Sequence, residues 1–142
     1  MIVLDTNVVS EMMRRTPEPR VVHWVNAFPA ADVFVTAVTA AELMYGVARL
    51  SEGRRKQELT VKVGALVAED FEDQVLPFDG LAAVDYADIV ATRERAGRPI
   101  SMADAQIAAI CRHWSASLAT RNIADFVDIG IRVVNPWNTA AR

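Results

Sequence analysis

The chain has 142 residues, a formal net charge of -3 and a single cysteine, Cys111. That length leads us to expect one domain over residues 1–142 with a core of its own. One thiol excludes an internal disulfide, and the slight acidic excess excludes a generic nucleic-acid coater, which would be strongly basic. Hydrophobic residues make up 52% and aromatics 7%, so Val, Ala, Leu and Ile must fill the core, a composition suited to α/β packing. No apolar run reaches membrane-spanning length and the N-terminus does not read as a signal peptide, so a cytoplasmic protein with no membrane partner is expected.

In chain order, the apolar run Met1 to Leu4 reads as a buried strand that ends on Asp5. A helix is expected from Thr6 to Met13, and a second from about Glu18 to Phe28 on the stripe Val21, Val22, Trp24, Val25 and Phe28. Val33 to Thr36 reads as a strand. Thr39-Ala-Ala-Glu42 matches a capping box and predicts a helix through Leu50. The polar stretch Ser51 to Lys56 reads as a solvated turn, followed by a long helix to about Phe71. Val75 to Asp79, interrupted by Pro77, reads as an edge strand. Helices are expected from Leu81 to Ala96, closed by Gly97, and from Met102 to Trp114, opened by a second capping box at Ser101 and Asp104. Ser117 to Thr120 and Ile131 to Val134 read as the last strands, joined by a loop with one helical turn around Asp125. Helices alternating with short apolar strands predict an α/β/α sandwich around a mainly parallel sheet.

The acids carry the functional reading. Singly, each has a structural explanation: Asp5 as a helix cap, Glu42 and Asp104 as partners in capping boxes, Asp125 as an exposed loop residue. Jointly they follow strand ends or open the next helices, and in a parallel sheet those positions share one rim. Carboxylates gathered there repel unless a cation is present. Oxygen donors without histidine or cysteine suit Mg²⁺ or Mn²⁺, and helix N-termini favour anions such as phosphate. Metal-assisted phosphodiester hydrolysis follows as the chemistry. His23 and His113 read as helix-surface residues and Cys111 as packing. Met12, Met13, Met44 and Tyr45 fit either the core or a partner groove.

The ordered set M-I-V-L-D-T-N at the start, T-A-A-E-L and G-V-A within Thr39 to Ala48, L-P-F-D at Leu76 to Asp79, S-M-A-D-A-Q-I-A-A from Ser101, A-T-R-N-x-x-D-F from Ala119, and V-x-N-P-W near the end resembles the PIN-domain ribonuclease toxins of the VapC/FitB type. The resemblance implies a PIN-like fold and a Mg²⁺- or Mn²⁺-dependent endoribonuclease leaving 5′-phosphate and 3′-hydroxyl ends. It implies Asp5, Glu42 and Asp104 as the catalytic acids and metal ligands. A fourth ligand falls to Asn122 or Asp125, left open by the sequence. Thr6 and Thr120 resemble the hydroxyls lining the family's pocket; Arg121 would meet a phosphate or pair with an acid. The implied partners are an RNA substrate, a small VapB/FitA-like antitoxin, a second copy in a homodimer, and operator DNA only through the antitoxin. A FitB-like protein acting mainly by binding a DNA-bound regulator is the alternative. A phosphotransfer receiver fits poorly, since Asp5 has no acidic neighbour, and an aspartyl-phosphate phosphatase needs an acid where Asn7 stands.

Overall fold

The computed structural model describes residues 1–139. Five strands form one sheet: β1 (Ile2–Leu4), β2 (Val33–Thr36), β3 (Val75–Leu76), β4 (Ser117–Ala119) and β5 (Val133–Val134). Their spatial order is β3-β2-β1-β4-β5, and every pairing is parallel. All strand C-termini therefore share one rim. From β1, the order runs outward through β2 and β3 on one side and through β4 and β5 on the other. The β1–β4 boundary is thus the point where the winding reverses and a crevice opens.

Six helices cover the two faces: α1 (Thr6–Met12), α2 (Pro19–Asn26), α3 (Ala37–Ala48), α4 (Arg54–Ala65), α5 (Gly80–Arg95) and α6 (Met102–His113). β1 shows how the layers are held. Side chains alternate across a strand, so Val3 packs with Ile107, Ile110, Leu118 and Phe126 on the face covered by α5 and α6. Ile2 and Leu4 pack on the other face with Val8, Val21, Val35, Leu43 and Val63. A strand buried on both sides is apolar throughout, which is why the Met1 to Leu4 run has no polar interruption. The result is the three-layer sandwich that the alternation of elements predicts.

Several boundaries differ from the sequence reading, and one difference matters for chemistry. α3 opens at Ala37, directly from β2, and not at Thr39. Its N-cap is Thr36, whose hydroxyl accepts the Thr39 N–H at 3.1 Å. Thr39 is therefore a fully buried first-turn residue, and Glu42 is not the reciprocal half of a capping box. At α6 the expected cap is present: Ser101 Oγ accepts the Asp104 N–H at 3.2 Å. α4 begins at Arg54, so the basic segment is helix rather than turn, and a π-helical turn (Leu66–Asp70) extends it. β3 stops before Pro77, and Asp79 caps α5 by accepting the Ala82 N–H. Gly97 closes that helix at φ +71°, as expected. The remaining ends move by a few residues: α2 starts after Glu18, its N-cap, and β5 keeps only Val133 and Val134.

Candidate active site at the sheet rim

Asp5 leaves the end of β1 and reaches the crevice. Its backbone N–H donates to Ala119 O at 2.9 Å, which continues the ladder with β4 one step past the strand. Its carboxylate is almost closed to solvent, at 5% exposure. Oδ1 accepts the Thr6 N–H at 2.8 Å, and Oδ2 accepts the Thr120 hydroxyl at 2.7 Å and Asn7 Nδ2 at 3.3 Å. Asp5 is thus both the N-cap of α1 and a group fixed across the switch point. Thr120, just beyond β4, is fully buried. Its oxygen also receives Asn7 Nδ2 at 3.2 Å and the Asn122 N–H at 3.1 Å.

Thr6 connects this pair to the third element. Its Oγ1 lies 2.7 Å from Glu42 Oε1 and 3.1 Å from Thr39 Oγ1. A hydroxyl has one proton, and the charged acceptor takes it. The Thr39 hydroxyl then donates to Thr6. Glu42 is exposed but held.

Asp104 enters from the first turn of α6. Burial raises its pKa most, and the charges of Asp5, Asp125 and Glu42 push it further, against the Ser101 hydroxyl. The Asp5 pKa is also raised, by burial first and in part by Glu42, although Thr120, Thr6 and Asn7 stabilise its charged form. Four acids predicted from separate stretches therefore share one electrostatic environment. Asp125 faces Asp104 in this sense, whereas Asn122 contributes its backbone N–H to Thr120. Among the described residues, no lysine or arginine forms an ion pair with Asp5, Glu42, Asp104 or Asp125. Among them, too, no three acidic, imidazole or thiol groups are already drawn close enough to hold an ion. The donor set nevertheless fits a hard divalent cation: oxygen ligands only, two carboxyls disfavoured as anions by burial, and no protein cation opposite them.

An acid whose folded-state pKa is raised weakens the fold as pH climbs above its ordinary value, because the folded chain holds the proton more tightly. Asp104→Asn should therefore raise the melting temperature at neutral pH in chelator. A gain of about 1 kcal/mol corresponds to roughly 3 °C in a chain of this size. The gain should vanish below the ordinary value of 3.8, where the carboxyl is protonated in folded and unfolded chains alike. A lowered melting temperature at neutral pH would contradict the account.

Sequence reasoning missed Asn7. Its side chain spans Asp5 and Thr120 and accepts the Arg121 N–H at 3.1 Å. The signal was available, since an Asn two residues after a strand-end Asp reaches back over it. Glu11 was also missed. It is 6% exposed, and the Glu18 N–H and the Arg14 guanidinium hold its pKa low. Arg121 is exposed and stacks over Trp137, 4.8 Å from the ring centroid, rather than pairing with an acid. His23 is exposed on α2, and His113 meets Trp114 edge-on. Cys111 is fully buried, and burial raises its thiol pKa, so it is packing. Met44 and Tyr45 are exposed, while Met12 and Met13 pack on the α1–α4 face.

Beside the acids lies a groove of about 600 Å³ between α1, α3 and α4. Thr6, Asn7 and Glu42 form its end at the acids; Leu43, Val47 and Val63 line its apolar part. Arg14, Arg55 and Arg121 add positive charge.

A family model described as the PIN domain matches residues 2–131. The chain belongs to the PIN-domain family. This PIN domain is 39% identical over 138 residues to Toxin FitB of Neisseria gonorrhoeae, covering 97% of this chain and 99% of that protein. It is 36% identical over 140 residues to VapC ribonuclease Y4jK of Sinorhizobium fredii, covering 99% and 100%. Among solved structures, FitAB bound to an IR36 DNA fragment superposes with a TM-score of 0.92 at 37% identity, covering 100% of this chain and 99% of that one. The expected fold and family resemblance are therefore correct. No helix among the described residues of this PIN domain is long and apolar enough to cross a membrane.

Proposed function

We propose that this PIN domain is a divalent-metal-dependent endoribonuclease and the toxin of a toxin–antitoxin pair. The observation that carries the reading is that Asp5, Glu42 and Asp104 come to one rim with no lysine or arginine paired to them among the described residues. The relative named as a VapC ribonuclease supports the reaction class. Asp5, Asp104 and Glu42 would hold Mg²⁺ or Mn²⁺, and we take Asp125, a carboxylate near enough to act on Asp104, over the neutral Asn122 amide as the fourth ligand. The ion supplies Lewis acidity toward the phosphodiester and the attacking water. The chain's own part is orientation. Thr120, Thr6 and Asn7 fix the Asp5 carboxylate, and Thr6 fixes Glu42. Arg121, braced on Trp137, stands at the mouth to meet a phosphate oxygen. The products would carry 5′-phosphate and 3′-hydroxyl ends.

The partner reading rests on the groove and on the solved relative, a FitAB complex with DNA. An apolar groove with arginines beside it suits an amphipathic segment bearing acids, and we assign it to a small antitoxin that reaches operator DNA itself. The protein would act in the cytoplasm as a homodimer. Purified, antitoxin-free protein should cut total RNA into discrete fragments in Mg²⁺ or Mn²⁺ and leave it intact in EDTA. Added antitoxin should stop cleavage, and Val47→Arg should relieve that inhibition. Folded protein that leaves RNA whole in both metals would overturn the nuclease reading in favour of a FitB-like binding role. Val47→Arg protein that is still fully inhibited would remove the groove assignment.

A further inference from the structure

Next to the large groove lies a second hollow of about 260 Å³, between the end of α1 and the outer face of α4. Arg14, Arg15, Arg55 and Lys62 line it, with Glu58 as its single acid. The whole chain has 18 acids against 15 lysines and arginines, so four cations to one acid reverse the molecule's balance locally. Arg14 is held by Glu11 at 3.0 Å, but the other three cations are weakly engaged. Arg15 is 83% exposed and reaches Glu58 only at 3.9 Å, while Arg55 and Lys62 are exposed. Nor does helix stability account for Arg55, although Lys62, in the last turn of α4, does complement the helix dipole. Arg54, Arg55 and Lys56 occupy the first turn of α4, where positive charge opposes the helix dipole.

Position gives the cluster its meaning. Arg14 and Arg55 line both hollows, and the larger one ends at Thr6, Asn7 and Glu42. One concave path thus joins the acid cleft to the cations. Arg55 and Lys62 are seven residues apart, two turns along one face of α4, or about 10 Å. The apolar lining of the smaller hollow is limited to Met13 and Leu59. A docked helix would need an apolar seat there, whereas a sugar–phosphate backbone needs spaced cations and little else.

We propose that Arg15, Arg55 and Lys62 form a phosphate track that holds the RNA backbone outside the cleaved bond. The proposal rests on the nuclease reading and supplies its substrate path. A chain that is acidic overall would gain local attraction for RNA without becoming a general nucleic-acid binder. Antitoxin in the adjoining groove would compete for Arg14 and Arg55, so occupancy by one would oppose the other.

The test uses full chain carrying Asp104→Asn, to prevent cutting, and labelled poly(U) RNA as the probe. Arg15→Ala/Arg55→Ala/Lys62→Ala in that background should weaken binding by about tenfold or more. It should also reduce the slope of log K against log salt by about 2, since each lost single-strand phosphate contact removes about 0.7. Arg15→Lys/Arg55→Lys with Lys62 retained should restore most of the slope. The altered side chains are exposed, so the melting temperature should hold; should the triple variant fail to fold, Lys62→Ala alone should lower the slope by about 0.7. An unchanged affinity and slope would overturn the track. Normal RNA binding with loss of antitoxin capture would also overturn it and assign the cations to the protein partner. RNA binding that depends on the cluster, in a chain whose parent never cuts RNA, would overturn the nuclease reading alone.

Discussion

Asp5→Asn should lower RNA cleavage by about a thousandfold or more, with the fold retained. Loss of a single preorganised group at a reacting centre costs about 10²–10³ in rate, and Asp5 is also proposed to hold the ion. The substitution is nearly isosteric and stays within a network that can adapt. Oδ1 can still receive the Thr6 N–H, and the new amide can donate to the Thr120 oxygen once Asn7 Nδ2, which donates to both Asp5 and Thr120 in the parent, gives way. What disappears is the negative charge on the most deeply fixed acid of the cleft. The measurement is a cleavage time course in Mg²⁺ and Mn²⁺ beside a thermal melt. Activity within tenfold of the parent, at an unchanged melting temperature, would remove Asp5 from the catalytic set.

The second large effect is expected at Arg93, a residue with no place in the chemistry. Its side chain is buried, at 5% exposure, and no carboxylate among the described residues pairs with it. Nε donates to Arg98 O at 2.7 Å, and Nη1 donates to Asp125 O at 2.9 Å and Val127 O at 3.4 Å. The guanidinium therefore ties the end of α5 to the turn carrying Asp125. Arg93→Met would remove three hydrogen bonds from a buried cation, a loss of roughly 3 kcal/mol, which is roughly 6–12 °C in melting temperature. Cleavage measured well below the new midpoint should still fall severalfold, because the Asp125 turn loses its anchor. Arg93→Lys should recover only part of both, since an ammonium cannot reproduce the planar fork. A shift under about 2 °C would show that water or neighbouring groups replace the guanidinium.

What was legible in the sequence follows from the range of the interaction involved. β1 and β2 were plain because strands buried on both faces must be apolar at every position. The acids were found because strand ends and helix starts can be read locally, and parallel winding then places them on one rim. Thr39 misled for the same reason. A Thr followed three residues later by Glu satisfies the local capping pattern, but Thr36 does so as well with its own i+3 N–H, and the β2 ladder decides between them. The correction strengthened the candidate site, because it removed the structural explanation for Glu42. Arg93 was illegible, since its carbonyl partners lie as far as 34 residues away and carbonyls leave no mark on a sequence. The basic stretch at Arg54 to Lys56 looked like a solvated turn, because its association with Arg14 and Arg15 exists only after α1 and α4 pack.

The central position of β1 also sets an order of events during synthesis. The first strand made pairs on one side with residues 33 and 34, but on the other with residues 117 to 119. A nascent chain can build β1, β2 and α1 to α4 early, with Asp5 and Glu42 already in place. Until β4 leaves the ribosome, β1 remains an open edge and Asp5 lacks the Thr120 hydroxyl. Translation halted before residue 117 would release a chain that has Asp5, Glu42 and Asp104 but neither Thr120 nor Asp125, with an unpaired strand prone to aggregate. The groove between α1, α3 and α4 is largely assembled before the cleft is complete, so a partner seated there could dock while the chain is still being made.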